Sequence, residues 1–329
     1  METKGYYLKG IHHVSAITGD AAANYEFYTR VLGLRLVKKT VNQDDTSVYH
    51  LFYGDERGNP GTDLTFFEIR SAPQYREGVG GISAVSLRVA SNKALYYWKE
   101  RFAEIGIDHD TIIKRGNRQT LAFRDGEGQR LILVSDEGES GVACGKPWDQ
   151  SPVPIQYAIT GIGPVHLSLQ NCEPTALVLT GILGFRYKAK YASPIVGQAD
   201  ILIFETGEGG SGAEVHLEQR NDLPRERQGK GGIHHVAFRV ENDEELREWA
   251  ADITRLRVPN SGFVDRYYFR SLYFREPNGI MFELATDGPG FDTDESMLHL
   301  GEKLALPPFL EPHRARIEAG LHPIETCRE

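Results

Sequence analysis

The sequence predicts an α+β protein built from four βαβββ modules, arranged as two tandem repeats that form cupped mixed sheets. Three observations carry this. A strand opener recurs at Ile11, Ile82, Ile162 and Ile233, at spacings of 71, 80 and 71 residues. Sliding the chain by 151 residues aligns landmarks without a gap: Leu32-Gly33 on Leu183-Gly184, Trp98 on Trp249, Arg115 on Arg266 and Gly128 on Gly279. Such register marks a duplication. After the openers come apolar residues at helical spacing, in 21–33, 92–106 and 242–256, followed by strand-length runs. Gly33 is the expected stop of the first helix, and Asn242 the expected cap of the last.

The repeat divides the chain into an N-terminal domain, 1–155, and a C-terminal domain, 156–290, with the Pro-containing stretch "GKPWDQSPVPIQYA" between them. Residues 291–329 lie outside the repeat and are expected to be a docked tail, helical over 310–320, covering the second half or a subunit contact. A net charge of −9 opposes binding to nucleic acid. There is no apolar run of membrane-spanning length, and "METKGYYLKG" lacks the apolar core of a signal peptide. Three scattered cysteines without a CxxC fit a reducing cytoplasm.

Two openers carry a doubled histidine: "KGIHHVSAIT" at 9–18 and "GGIHHVAFRV" at 231–240. Strand alternation puts His12 with Val14 and Ala16 on the apolar face, and His13 with Ser15 on the concave face. By the same parity His234 joins Val236 and Phe238, while His235 points into the cup. In "EPNGIMFELATDG" (276–288), Glu283 opposes the apolar Ile280, Phe282 and Leu284. A mid-strand carboxylate needs a cation or a metal when buried. A salt bridge to Arg239 or Arg266 is one account, and a metal shared with His13 and His235 is the other.

These motifs, with "VYHLFYGDERGNPGTDLTFF" (48–67) and "DRYYFRSLYFREPNGIMFEL" (265–284), resemble the vicinal-oxygen-chelate superfamily. That superfamily includes glyoxalase I, bleomycin-resistance proteins and extradiol dioxygenases. The likeness spans nearly the whole chain and is closest to hydroquinone-type ring-cleaving dioxygenases. It implies that the first module pairs with the fourth, and that His13, His235 and Glu283 hold the metal. It further implies surrounding roles for His12, Ser15, His234, Arg266 and Tyr273. Fe(II) is the expected metal, with Mn(II) also suited to this ligand set, and the substrates are a small aromatic diol and O2. A homo-oligomer is a further expectation.

The repeat also shows what the second cup lacks. His13, His235 and Glu283 fall on Pro164, Ala84 and Ile132. His216 falls on Thr65 and His166 on Ser15. Pairing of modules within each half would instead bring His216 to His235 and Glu283. A glyoxalase would carry a fourth ligand where Thr65 stands, an epimerase would use Zn, Ni or Co with a general base and consume no oxygen, and a non-catalytic binding protein would need no triad. His50 is placed near the pocket without a defined side. His299, His313 and His322 of the tail are not expected to be ligands.

Overall fold

The computed structural model describes residues 7–327. Module 1 comprises β1 (Ile11–Thr18), α1 (Ala21–Glu26, continuing as a π turn to Val31), β2 (Arg35–Val41), β3 (Tyr49–Gly54) and β4 (Asp63–Glu68). Module 2 comprises β5 (Gly81–Val89), α2 (Asn92–Ile105), β6 (Ile113–Arg115), β7 (Arg118–Arg124) and β8 (Arg130–Ser135). Module 3 comprises β9 (Ile159–Leu169), α3 (Glu173–Leu177, with a π turn to Ile182), β10 (Arg186–Tyr191), β11 (Ile201–Glu205) and β12 (Glu214–Gln219). Module 4 comprises β13 (Ile233–Val240), α4 (Asp243–Arg255), β14 (Val264–Asp265), β15 (Arg270–Arg275) and β16 (Met281–Thr286).

Local chemistry sets the helix ends. Asp20 accepts hydrogen bonds from the backbone N–H groups of Ala22 and Ala23 at the start of α1. Asn242 does the same for Glu244 and Glu245 at α4, whose first turn is acidic and whose last turn carries Arg255, complementing the helix dipole. α2 ends at Gly106, in the left-handed region at φ 73°. Trp98 and Phe102 of α2, and Leu246, Trp249 and Ile253 of α4, are buried in the same core as Val14, Val236, Phe238, Phe282 and Leu284. Each helix thus covers the apolar face of its own module, and the opposite sheet face is left to form a cup.

Two antiparallel seams join the modules. β1 pairs with β13, which unites modules 1 and 4. β5 pairs with β9, which unites modules 2 and 3. The seams meet at the single pair Ile233–Ile82. Pairing across the halves separates His216 from His235 and Glu283, so the arrangement within halves does not occur.

Both bulges in the first seam fall on histidines. The register runs Ile11–Phe238 and then His13–Ala237, leaving His12 as the extra residue. It runs Ser15–His235 and then Ala16–Ile233, leaving His234 as the extra residue. A bulge breaks strict alternation and re-aims a side chain. Parity therefore mispositioned His12 and His234, whose rings lie beside those of His13 and His235, each with centroids 5.0 Å apart.

The tail crosses module 4, where Phe291 packs on Tyr268 and Asp294 accepts from the Tyr268 hydroxyl, and then returns to the edge of module 1. Leu304 bridges Lys39, and the Ala305 N–H donates to the Lys39 carbonyl, at the outer edge strand β2. Covering this edge satisfies backbone groups that would otherwise face water. The Lys38 side chain is fully buried between Asp294 (2.6 Å) and Glu295 (2.5 Å), over the Tyr268 ring. A helix, α5 (Arg314–Gly320), closes the tail.

Lys38→Met leaves two half-wet carboxylates without their cation. We expect a loss of about 2–3 kcal/mol in urea denaturation, with faster protease cleavage of the tail. An unchanged midpoint and cleavage rate would show that Lys38 does not hold it.

Candidate metal centre

The first seam brings three ligand types to one point. Glu283 pairs with Ala237 across β13–β16, and Ala237 pairs with His13 across β1–β13. His13, Ala237 and Glu283 thus lie in one row over three strands. Ala237 is buried and small, so the side chains flanking it converge above it. His235, two residues before Ala237, completes the set. His13 Nε2 lies 3.2 Å from Glu283 Oε2, His235 Nε2 lies 2.9 Å from the same oxygen, and the two Nε2 atoms are 3.3 Å apart. Ligand atoms about 2.1 Å from one ion and at right angles stand about 3 Å from each other. His13, His235 and Glu283 form the one such group of His, Cys, Asp or Glu among the described residues.

Charge asks for the same ion. Burial alone would raise the Glu283 pKa, but His13 and His235 outweigh it and hold the carboxyl well below its usual range. Burial lowers the His235 pKa and so favours a neutral ring. Glu283 Oε1 accepts a 2.5 Å hydrogen bond from Ser271, while the buried Oε2 faces only the Nε2 atoms of His13 and His235. Neither arginine nominated from the sequence reaches it: Arg239 pairs with Asp287, and Arg266 with Asp44. A buried carboxylate with two imidazole nitrogens converging on one of its oxygens is a donor set that fits a divalent cation.

The bulged histidines set which nitrogen faces that point. His12 Nε2–H donates to the Thr286 carbonyl at 3.0 Å. Burial, then His13, push the His12 pKa down to about 3, so the ring is neutral and its Nδ1 is an acceptor. His13 Nδ1–H therefore donates to it at 2.9 Å, which leaves the His13 Nε2 lone pair free. The Nδ1 atoms of His234 and His235 stand 2.7 Å apart in the same arrangement. His234 is also pushed down to about 3, by burial and then His235.

The triad opens onto a cavity of about 280 Å³, with Phe52, Phe67, Phe269 and Met281 among its apolar walls. Tyr273 pairs with Glu283 in the β15–β16 ladder. Arg266 Nε–H donates to the Tyr273 oxygen at 3.3 Å, and the guanidinium also pairs with Asp44 at 2.9 Å, not with Asp265 or Glu276. Burial, then Glu283, raise the Tyr273 pKa, so the phenol keeps its proton. His50 lines the cavity too and shares a hydrogen bond with Thr65 at 3.0 Å, and Thr65 shares another with Ser15 at 2.7 Å. His216 sits in the other cup against Glu214 and Tyr191.

Sequence reasoning did not find Ser271, the Thr286 carbonyl or the 42–44 loop. Ser271 has a signal: it lies two residues before Tyr273 in β15 and so shares its face. The loop and the carbonyl have none, because only tertiary pairing brings them in.

A sequence model of the "Glyoxalase/Bleomycin resistance protein/Dioxygenase superfamily" matches residues 10–133 and 161–284. The provisionally named ring-cleaving dioxygenase MhqA of Bacillus subtilis is 56% identical over 318 residues, covering 97% of this chain and 99% of that protein. The chlorohydroquinone/hydroquinone 1,2-dioxygenase of Sphingobium indicum is 31% identical over 317 residues, covering 92% and 93%. A crystal structure of a provisionally assigned dioxygenase from Bacillus subtilis superposes with a TM-score of 0.88 at 36% identity, covering 99% of this chain and 100% of that one. Two matched repeats and relatives aligned end to end make this chain a member of the glyoxalase/bleomycin resistance protein/dioxygenase superfamily.

Proposed function

We infer that the protein is a metal-dependent dioxygenase that opens the ring of a hydroquinone or catechol. The observation that carries this is the convergence of His13, His235 and Glu283 at the wall of a cavity walled with aromatic rings. Sustained likeness to proteins named ring-cleaving or hydroquinone dioxygenases supports it. Fe(II) is the metal we propose, with Mn(II) compatible with the same ligands. When bound by two imidazoles and one carboxylate, such an ion keeps positions open for a phenolate and O2 and supplies the redox chemistry that joins them.

The chain's own side chains do the rest. The phenyl walls hold the ring and exclude water. Tyr273 receives a hydrogen bond from Arg266, so its own O–H is free to donate to a substrate oxygen or pass it a proton. The Arg266 cation stands by to stabilise negative charge as the ring opens. His12 holds His13 in the ligating tautomer, and His234 does the same for His235. Thr65 presents a neutral hydroxyl, engaged by Ser15 and His50, where a glyoxalase would hold its fourth ligand. Three free cysteines support a reducing, cytoplasmic setting.

Oxygen uptake by protein loaded anaerobically with Fe(II), over a panel of hydroquinones and catechols, tests the reading. Uptake is expected with at least one diol, abolished by His13→Ala and preserved in His216→Ala. Failure with every ring despite bound metal would overturn it. Tyr273→Phe is expected to lower kcat by about a hundredfold with metal content unchanged, and an unchanged kcat would remove Tyr273 from proton transfer. His12→Phe is expected to weaken metal affinity by about 10–100-fold. An equal affinity would mean that the tautomer is fixed by other means.

A further inference from the structure

The first cup is a row of strands in the order β15–β16–β13–β1–β4–β3–β2. Its two walls are related by the repeat. Aligning Ile11 with Ile233 puts His13 on His235 and Ser15 on Ala237. Ser15 pairs with Thr65 as Ala237 pairs with Glu283, and Thr65 pairs with Phe52 as Glu283 pairs with Tyr273. Thr65 is therefore the counterpart of Glu283, Phe52 of Tyr273, and His50 of Ser271. The polar bond between the two strands is kept as well: Ser271 donates to Glu283 at 2.5 Å, and His50 Nε2 shares a hydrogen bond with Thr65 at 3.0 Å. The chemistry of the walls differs. Tyr273 and the triad stand on β15, β16, β13 and β1, whereas β3 and β4 present His50, Phe52 and Phe67 to the cavity.

His50 stands across the cavity from the triad. Its strand is two places beyond β1, about 10 Å along the sheet. The Phe67 ring is a neighbour of both sites, with its centroid 4.1 Å from that of His50 and 6.5 Å from that of His235. Phe52 packs on His50 at 4.0 Å. These two phenyl rings and the Thr65 hydroxyl fix the imidazole in place. Nδ1 has no hydrogen-bond partner among the described residues, and the ring remains partly exposed in the cavity wall.

Burial, then His13 and His235, hold the His50 pKa well below its usual range, so the ring is neutral. A neutral imidazole has one donor and one acceptor nitrogen. If Nε2–H donates to Thr65, Nδ1 accepts; if the Thr65 hydroxyl donates, Nδ1–H donates. A phenolic hydroxyl can answer either, because it is both donor and acceptor.

We propose that His50 is a substrate-recognition residue, whose Nδ1 hydrogen-bonds the far oxygen of a 1,4-diol bound with its near oxygen at the triad. The assignment rests on the reading of this site as one that takes an aromatic diol. Tyr273, paired with Glu283, serves the near oxygen, and His50 the far one. The oxygens of a 1,2-diol lie side by side, so a 1,2-diol directed at the triad turns a C–H edge to His50 and leaves Nδ1 unpaired. A site built to hydrogen-bond a hydroxyl discriminates against the analogue that lacks it.

Anaerobic calorimetric titration of the full-length, Fe(II)-loaded protein with hydroquinone, catechol and phenol tests this. The wild type is expected to bind hydroquinone about tenfold or more tighter than phenol. His50→Phe is expected to bring that ratio close to one, with metal content and phenol affinity retained and catechol affinity little changed. His50→Gln, which restores a hydrogen-bonding end, is expected to recover part of the preference. Circular dichroism melting identifies a variant that fails to fold, and His50→Leu then carries the same comparison. A hydroquinone-to-phenol ratio unchanged in the variants would overturn the proposal. So would absence of hydroquinone binding by the wild type, equal losses for all three ligands, or a loss for catechol as large as that for hydroquinone. Oxygen uptake by the same preparations separates this proposal from the one it rests on. Discrimination without uptake would overturn ring cleavage and leave His50 in its role, and uptake with discrimination indifferent to His50 would do the reverse.

Discussion

The antiparallel pairing of β1 with β13 is the constraint on which the metal centre hangs. It sets His13 opposite Ala237 and His235 opposite Ser15, and through β16 it adds Glu283 to the same row. A register slip of one residue would send these side chains to the helix-covered face. Two bulges lie in this ladder, and each turns a histidine toward the ring of its neighbour. The doubled histidines are therefore one device used twice. One ring in each pair faces the candidate metal position, and the other lies against its Nδ1.

The electrostatics follow from that geometry. Burial makes His235 resist protonation, and the Glu283 carboxylate stays ionised. The polypeptide thus holds a negative charge in a site that nearly excludes water, with one oxygen facing only two imidazole nitrogens. This is costly for the fold alone and is offset only when a cation enters. Nearby, Arg266 is committed to Asp44 and Tyr273, so it does not neutralise Glu283.

Much of this was legible in the sequence, and the limits have physical causes. The duplication, the helices and the orientation of His13, His235 and Glu283 follow from periodicities that a chain displays locally. His12 and His234 were assigned to the wrong face because a bulge is a property of two strands, and its partner lies more than two hundred residues away. The pairing of module 1 with module 4 came from resemblance, since nothing local distinguishes it from pairing within a half. The tail's return to module 1 was not legible for the same reason. Its acidic Asp294 and Glu295 find Lys38 in β2, and a lysine among apolar strand residues gives no sign of what will cover it.

Joining the first module to the last has a consequence for synthesis. His13 and His235 lie 222 residues apart, and Glu283 follows later still. During translation His13 leaves the ribosome long before His235 and Glu283 and must wait for both. The seam between modules 2 and 3 can close while the outer two are still apart. A nascent chain that stops before residue 283 lacks Glu283 and cannot bring the three side chains together.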